Sequence, residues 1–223
     1  MKLNTLFSSA VLALGLGSVA HAATFTYNFT TTGGNVTSTS PVGTPAGAPS
    51  LTVTPAYYTG SSVLTSGATI TQNGSYGYGV NNGQGDNSHA IDNSGYKDML
   101  LFSFSASVSF SNLTLGWMND DTDFRYWVGG SGATASSLFG TGSGGTTVNN
   151  SSINTPISLS GTGFTLLVAA RPDQDNDAFK IKQLVVSYTT PPGTTGVPDS
   201  GATLILLGLG LLGLAGLKRR MAA

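Results

Sequence analysis

Alternation of polar and hydrophobic residues is the main pattern along this chain. Thr24 to Thr30 alternates polar and aromatic side chains, as a half-buried strand does. Met99 to Phe104 is almost continuously apolar, which indicates a buried strand, and Ser107 to Trp117 alternates again. No stretch between Ala23 and Gly196 has convincing helical periodicity. Further strands are predicted at Ser62–Thr71, Ser75–Val80, Phe124–Val128, Pro156–Ser160, Gly163–Ala169 and Ala178–Tyr188.

Turn signals separate these short strands. Gln72-Asn73-Gly74 lies between two β-prone runs and predicts a hairpin, because Asn and Gly both accept positive φ. Ser111-Asn112 breaks the alternation, which predicts a turn or a bulge there. Thr31 to Ser50 is rich in Gly, Pro, Ser and Thr and is predicted to be a loop. Many short strands with Gly-rich connections predict an all-β domain at residues 23–188, an antiparallel β-sandwich or jelly roll.

The N-terminal segment has the pattern of a secretory signal peptide. Lys2 is followed by a largely apolar run from Leu6 to Val19 and by Ala20-His21-Ala22, which supplies small residues on either side of a larger one. These are the charged, apolar and cleavage regions of an export signal, so residues 1–22 are predicted to be removed after Ala22.

The C-terminal segment has three parts after a Pro/Gly/Thr linker at residues 189–196. A short polar motif comes first, an apolar span follows at residues 202–217, and a basic cluster ends the pattern. The span predicts a transmembrane helix of roughly 24 Å, somewhat short for a bilayer core of about 30 Å. The cations fix its orientation with the motif outside. The motif residues are Val197, Pro198, Asp199, Ser200 and Gly201, and the cations are Lys218, Arg219 and Arg220.

Composition narrows the chemistry that the exported part can perform. The chain has no Cys, which excludes disulfides and thiolate metal sites, and its ten acidic residues are all Asp. The segment between Ala23 and Gly196 is mildly acidic and has no basic stripe, so nucleic acid is not an expected partner. After signal cleavage the only histidine is His89, which we interpret as a solvated loop residue. We therefore expect a non-enzymatic protein with no catalytic residues, although an Asp-based glycoside hydrolase remains an alternative.

Three stretches rich in Asp and Asn could bind a hard cation. Calcium takes several oxygen ligands, and acid-amide loops supply them, although the spacing does not fit an EF-hand. Calcium is thus the only cofactor that the sequence suggests, and no cofactor is certain. The alternative is that Asp and Asn make Asx-turns between strands. The candidate ligands are Asp86, Asp92, Asp98, Asp120 and Asp123.

Aromatic residues raise a second functional hypothesis, a carbohydrate-binding module that calcium could assist. Rings with polar tips can stack on sugars, but most such residues are expected in the core or on the sheet. Trp117 in particular ends an apolar strand and is expected to be buried. The aromatic residues considered are Tyr57, Tyr58, Tyr76, Tyr78, Tyr96, Trp117, Tyr126 and Trp127.

The three-part C-terminal pattern at Val197 to Arg220 resembles the PEP-CTERM class of bacterial sorting signals, in the variant whose motif reads V-P-D-S-G. It differs from the commonest form, V-P-E-P, by Asp199, Ser200 and the added Gly201. The resemblance implies transient membrane association and cleavage at the motif by an exosortase. It also implies delivery to the cell surface or an exopolysaccharide matrix. Body segments such as "AIDNSGYKDMLLFSF" and "LTLGWMNDDTD" are similar to the β-rich bodies of other exosortase-dependent surface proteins.

Overall fold

The structure, a computed structural model, describes residues 21–84, 89–119, 122–140, 142, 144–149, 151–172 and 177–190. One compact unit spans Ala22–Thr189, which is one residue longer at each end than the predicted domain. A second unit comprises Met1–His21 and Thr190–Ala223 and, apart from His21 and Thr190, lies outside the described residues. The predicted signal peptide up to residue 20, the linker from residue 191 and the C-terminal signal therefore lie outside them too.

The described residues form an all-β fold with one short helix, which confirms the predicted fold class at this level. In chain order the elements are β1 (Ala22–Asn28), β2 (Asn35–Val36), β3 (Gly43–Thr44), β4 (Leu51–Tyr58), β5 (Val63–Leu64), β6 (Thr69–Asn73), β7 (Gly77–Asn81), β8 (Ile91–Asp92), β9 (Lys97–Met118), β10 (Phe124–Gly129), α1 (Ala135–Phe139), β11 (Thr146–Val148), β12 (Pro156–Ser158), β13 (Thr162–Ala170) and β14 (Ala178–Thr189). All pairings between these strands are antiparallel, and the main path of the sheet runs β11-β10-β13-β9-β14-β7-β6-β2.

The long strand β9 gives the domain its sandwich-like form. Its first part pairs with β4 and β13, and its second part pairs with β14 and β12. Aromatic rings from β1 and the residue after it then cover the first part of β9 without pairing to it. Tyr27 meets Phe104 edge-on at a ring-centroid distance of 5.5 Å, and Phe29 lies 5.6 Å from Phe102. The two groups of strands thus face each other across a buried apolar core.

The core follows the alternation read from the sequence. On β1, Phe25 and Tyr27 are buried while Thr24 and Asn28 are exposed. Burial of such rings supplies most of the favourable free energy of folding, because apolar area leaves water. The largest fully buried side chains are Tyr27, Tyr78, Phe29, Phe102, Phe124, Phe139, Phe179, Leu51, Ile70, Ile91, Met99 and Leu100.

Two local predictions are confirmed and two expectations change. Strands β6 and β7 form the hairpin predicted at Asn73-Gly74, with Asn73 opposite Gly77. At Ser111 the pairing with β14 skips one residue, so the predicted irregularity is a bulge. The two strands expected at Met99–Phe104 and Ser107–Trp117 are one continuous strand, and Trp117 is half-buried rather than buried.

Helix α1 is a single turn that begins at a capping box, in which Thr134 and Ser137 satisfy each other's backbone N–H groups.

The two ends of the domain lie side by side, because Ala22 on β1 is directly opposite Thr189 on β14. Within the described ranges we find no helix long and apolar enough to cross a membrane. The predicted span at residues 202–217 lies outside those ranges.

Candidate functional site

The described ends of two Asp-rich loops are joined by a buried cluster of side chains, which we call the Asp177 node (Asn93, Asp123, Arg171 and Asp177). Asn93 and Asp177 are each only 1% exposed. The Asn93 side-chain amide donates to Asp177 Oδ2 at 2.9 Å, and the Asp177 backbone N–H returns a hydrogen bond to Asn93 Oδ1 at 3.0 Å. These reciprocal bonds join the residue that follows β8 to the residue that precedes β14.

The node also includes Asp123, which directly precedes β10, and Arg171, which directly follows β13. The Asp123 backbone N–H donates to Asp177 Oδ1 at 2.7 Å, so both oxygens of this carboxylate accept hydrogen bonds. The Arg171 guanidinium forms an ion pair with Asp123 Oδ2 at 2.9 Å. The Asn93 amide also donates to the backbone oxygen of Arg171 at 2.8 Å. These hydrogen bonds replace the hydration that the buried Asp177 carboxyl group loses on folding.

Backbone contacts bring the segments beside the predicted acidic clusters to the same place. Asn119 N donates to Ala178 O at 2.9 Å, and the Thr122 hydroxyl donates to the same oxygen at 3.2 Å. Asp92 pairs with Ala178 across β8 and β14. The sequence could not show this convergence, since only the tertiary pairing creates it.

The five predicted cation ligands have different surroundings. Asp92 Oδ1 accepts the Ser94 N–H at 2.9 Å, which is the Asx-turn of the alternative interpretation. Asp98 accepts a hydrogen bond from the Asn82 amide at 2.9 Å, and Asp123 is paired with Arg171. Asp86 and Asp120 lie outside the described residues. Among the residues that are described, no three of the types His, Cys, Asp or Glu are grouped so that they could hold a metal ion. Calcium binding remains a prediction.

His89 differs from the solvated loop residue expected from the sequence. It lies in a loop, with a φ of 46°, but it is half-buried. Its Nδ1 is buried and has no hydrogen-bond partner in the described part of the chain. The backbone of His89 also packs closely against Gly79, where a Cβ would lie 2.0 Å from the His89 carbonyl oxygen.

The aromatic residues considered for sugar stacking are divided between core and surface. Three of them, Tyr78, Tyr126 and Trp127, are buried, so the eight do not form one exposed platform. Tyr57 and Tyr96 stack on each other with centroids 5.3 Å apart and planes 14° apart. The remaining three have separate surroundings: Tyr58 packs on Phe139, Trp117 lies 5.6 Å from the Lys180 ammonium, and Tyr76 is 45% exposed.

Comparison with known proteins informs the C-terminal segment alone. No curated protein and no solved structure matches the chain. The motif residues Val197–Gly201 and the cations Lys218, Arg219 and Arg220 lie outside the described residues, but all of them fall within one family match. That family model, described as the VPDSG-CTERM motif, matches residues 196–221, so the C-terminal segment of this chain carries a PEP-CTERM-type sorting motif.

Proposed function

We propose that this protein is an exported, non-enzymatic surface protein whose C-terminal signal is cleaved by an exosortase. The observation that carries the proposal is the VPDSG-CTERM match at residues 196–221. In this proposal residues 1–22 start export, residues 202–217 hold the precursor transiently in the membrane, and Lys218–Arg220 keep the basic end inside. Cleavage at Val197–Gly201 then releases the domain to the cell surface or the extracellular matrix.

The position of the motif relative to the fold supports this sequence of events. The last strand, β14, ends at Thr189, and Val197 follows after a short Pro/Gly/Thr linker. A cut within Val197–Gly201 therefore removes none of the strands in the described residues. Ala22, the last residue of the predicted export signal, is the first residue of β1 and pairs with Thr189 at the end of β14.

The residue inventory supports a non-enzymatic role for the domain. The sequence contains no Cys and no Glu, and Asp123 and Asp177 serve as hydrogen-bonded anchors of the Asp177 node. A hydrolase of the paired-carboxylate type needs one acid and one base facing a shared cleft. The jelly-roll connectivity, the transmembrane helix and an exopolysaccharide partner remain predictions of the sequence.

Variants of the motif test the proposal. We expect Asp199→Ala to leave the precursor uncleaved in the native host, because the substitution alters the signal that the exosortase reads. Thr195→Ala, in the linker just outside the motif, is the matched control and should be processed normally. Immunoblotting of membrane and extracellular fractions provides the measurement. Normal release of the Asp199→Ala protein would contradict an exosortase that reads this motif.

A further inference from the structure

A polar groove lies on the outer side of the sheet where β1, β9 and β14 meet β12. We call it the amide groove, and its volume is about 280 Å³. No hydrophobic side chain other than one proline lines it, in contrast to the core beneath. The lining residues are Asn28, Thr114, Asn154, Pro156, Lys182 and Gln183.

A local irregularity at Lys182 creates this groove. Along β14, Ile181 pairs with Leu115 and Gln183 pairs with Thr114, so Lys182 has no partner in this ladder. Gly116 of β9 is likewise left out between Leu115 and Trp117, so the pairing has the same register on both sides of this irregularity. Ile181 points into the core and is fully buried, whereas Lys182 and Gln183 are both half-buried. A regular strand would send these two neighbours to opposite faces, and the irregularity allows both to reach the outer face.

A strained residue on the opposite wall completes the groove. Asn154 has a φ of 56°, in the left-handed region that non-glycine residues rarely adopt. Its backbone N–H donates to the Leu115 oxygen at 2.8 Å, which holds it in place. Its side-chain Oδ1 accepts a hydrogen bond from the Lys182 ammonium at 2.9 Å. Backbone strain of this kind often occurs at ligand sites, where it positions a side chain.

The groove offers both hydrogen-bond donors and acceptors to a ligand. Gln183 Nε2 donates to Asn28 Oδ1 at 2.8 Å, and this bond uses one of the four hydrogen-bonding groups on each side. A side-chain amide has two N–H donors and an oxygen with two lone pairs, so the pair retains groups of both kinds. The Thr114 hydroxyl at the base can also donate and accept. Sugar hydroxyls have the same dual character, so they are complementary to such a surface.

Lys182 adds a positive charge that no carboxylate balances among the described residues. Its hydrogen-bond partner is the neutral Asn154 amide. Arg171, by contrast, is paired with Asp123 at 2.9 Å. An ammonium beside neutral amides attracts an anion, and hydrogen bonds that involve a charged group are stronger than neutral ones. The groove therefore favours a ligand that bears both hydroxyls and a negative charge.

We propose that the amide groove binds an anionic polysaccharide. Lys182 contacts an anionic group of the polymer, and Asn28, Gln183 and Thr114 contact the hydroxyls. This inference rests on the proposed function in one respect, namely that the domain is exported and so meets extracellular polymers. It deepens that function because it names a partner class and a site.

Binding of the full chain, purified in detergent, to polygalacturonate tests the proposal. Dextran serves as the neutral polymer. We expect polygalacturonate to bind, dextran to bind more weakly, and added salt to weaken the polygalacturonate complex. Lys182→Gln should lower the affinity about tenfold, because a charge-assisted hydrogen bond is lost. Lys182→Arg should retain most of the affinity, since the charge remains.

Two further variants separate binding from folding. Lys97→Gln removes the same charge outside the groove and should bind like the wild type. Asn154→Gly keeps the positive φ acceptable but removes the amide, so it should fold and bind more weakly. Circular dichroism confirms folding of every variant.

Several results would overturn the proposal. These are no binding of polygalacturonate by the wild type, equal binding by Lys182→Gln, an equal loss in Lys97→Gln, or equally tight binding of neutral dextran. Tail cleavage plays no part in this assay. A negative result therefore leaves the sorting function intact, and an uncleaved tail would leave the groove unaffected.

Discussion

Substitution of Asn93 should destabilise the domain more than any surface change, because its side chain connects three separate segments. Asn93→Ala removes the amide that donates to Asp177 Oδ2 and to the Arg171 backbone oxygen, at 2.9 and 2.8 Å. It also removes the oxygen that accepts the Asp177 backbone N–H at 3.0 Å. Three polar groups then lose a partner at a site where Asn93 and Asp177 are 1% exposed.

The magnitude follows from the burial of these groups. Each buried group left without a hydrogen bond costs about 1–3 kcal/mol, and a buried charge that loses a partner costs more. Water that enters the vacated space offsets part of this sum, so we expect a loss of about 3–5 kcal/mol in the free energy of unfolding. For a domain of this size that corresponds to a decrease in Tm on the order of 10 °C.

Urea and thermal unfolding of the full chain in mild detergent, followed by circular dichroism, provide the measurement. Asn35→Ala is the matched control, because Asn35 accepts a single exposed hydrogen bond from the Thr71 hydroxyl at 2.9 Å. That variant should lose less than about 1 kcal/mol. If the free energy of unfolding of Asn93→Ala lies within about 1 kcal/mol of the wild-type value, as that of the control should, the Asp177 node does not hold these segments together.

Two further predictions concern the sheet around β1 and β14. Burial raises the pKa of Tyr27 to about 12, so the folded state favours the neutral phenol, which donates to the Pro49 oxygen. This stabilisation is fully present below pH 10, and up to about 3 kcal/mol of it is lost as the pH rises from 10 to 12. Unfolding curves of Tyr27→Phe at alkaline pH should lack this loss of stability. If the variant loses the same stability as the wild type, other groups cause the loss. Gly77→Ala should destabilise by about 3 kcal/mol or more, because φ is +95° and a Cβ would lie 2.0 Å from the Ile181 oxygen. Gly47 has nearly the same φ, +93°, but a Cβ there would meet no other atom, so Gly47→Ala should lower the free energy of unfolding by only about 1–2 kcal/mol. Equal Tm values for the two alanine variants would show that the close contact at Gly77 has no effect.

The strands were largely predictable because alternation is a local property. The strands around Phe25 and Tyr27, and those at Phe124–Gly129 and Ala178–Thr189, follow directly from it. β9 was predicted as two strands because Ser105 and Ala106 interrupt the apolar run. It continues through them because its partners overlap: β4 pairs before the interruption, β14 pairs after it, and β13 pairs on both sides of it.

Strand β4 was not among the predicted strands, although it spans Leu51–Tyr58. Pro55 lies in its middle, opposite Leu100, and a proline cannot donate a hydrogen bond to a ladder. The strand tolerates it because at that point β4 pairs with β9 on one side only. A strand that pairs on one side only can place its proline nitrogen where no hydrogen bond is needed. Such a position depends on the tertiary structure and not on the local sequence.

The candidate sites were harder to predict than the strands. Asn93 and Asp177 are 84 positions apart, and the sequence drew attention to Asp residues without indicating which amide would pair with them. The amide groove depends on a local irregularity in the pairing of β14 with β9, and Lys182-Gln183 carries no signal of it. The sorting motif is the opposite case, because its information is contained in contiguous residues.

The intact mass of the mature protein from its native host tests the central claim most directly. If the chain is sorted through its VPDSG motif, the mass should correspond to a polypeptide that begins at Ala23 and ends within Val197–Gly201. Every described strand, apart from the first residue of β1, would then remain in the released protein. A mature chain that still contains Lys218–Arg220 in wild-type cells would contradict the account.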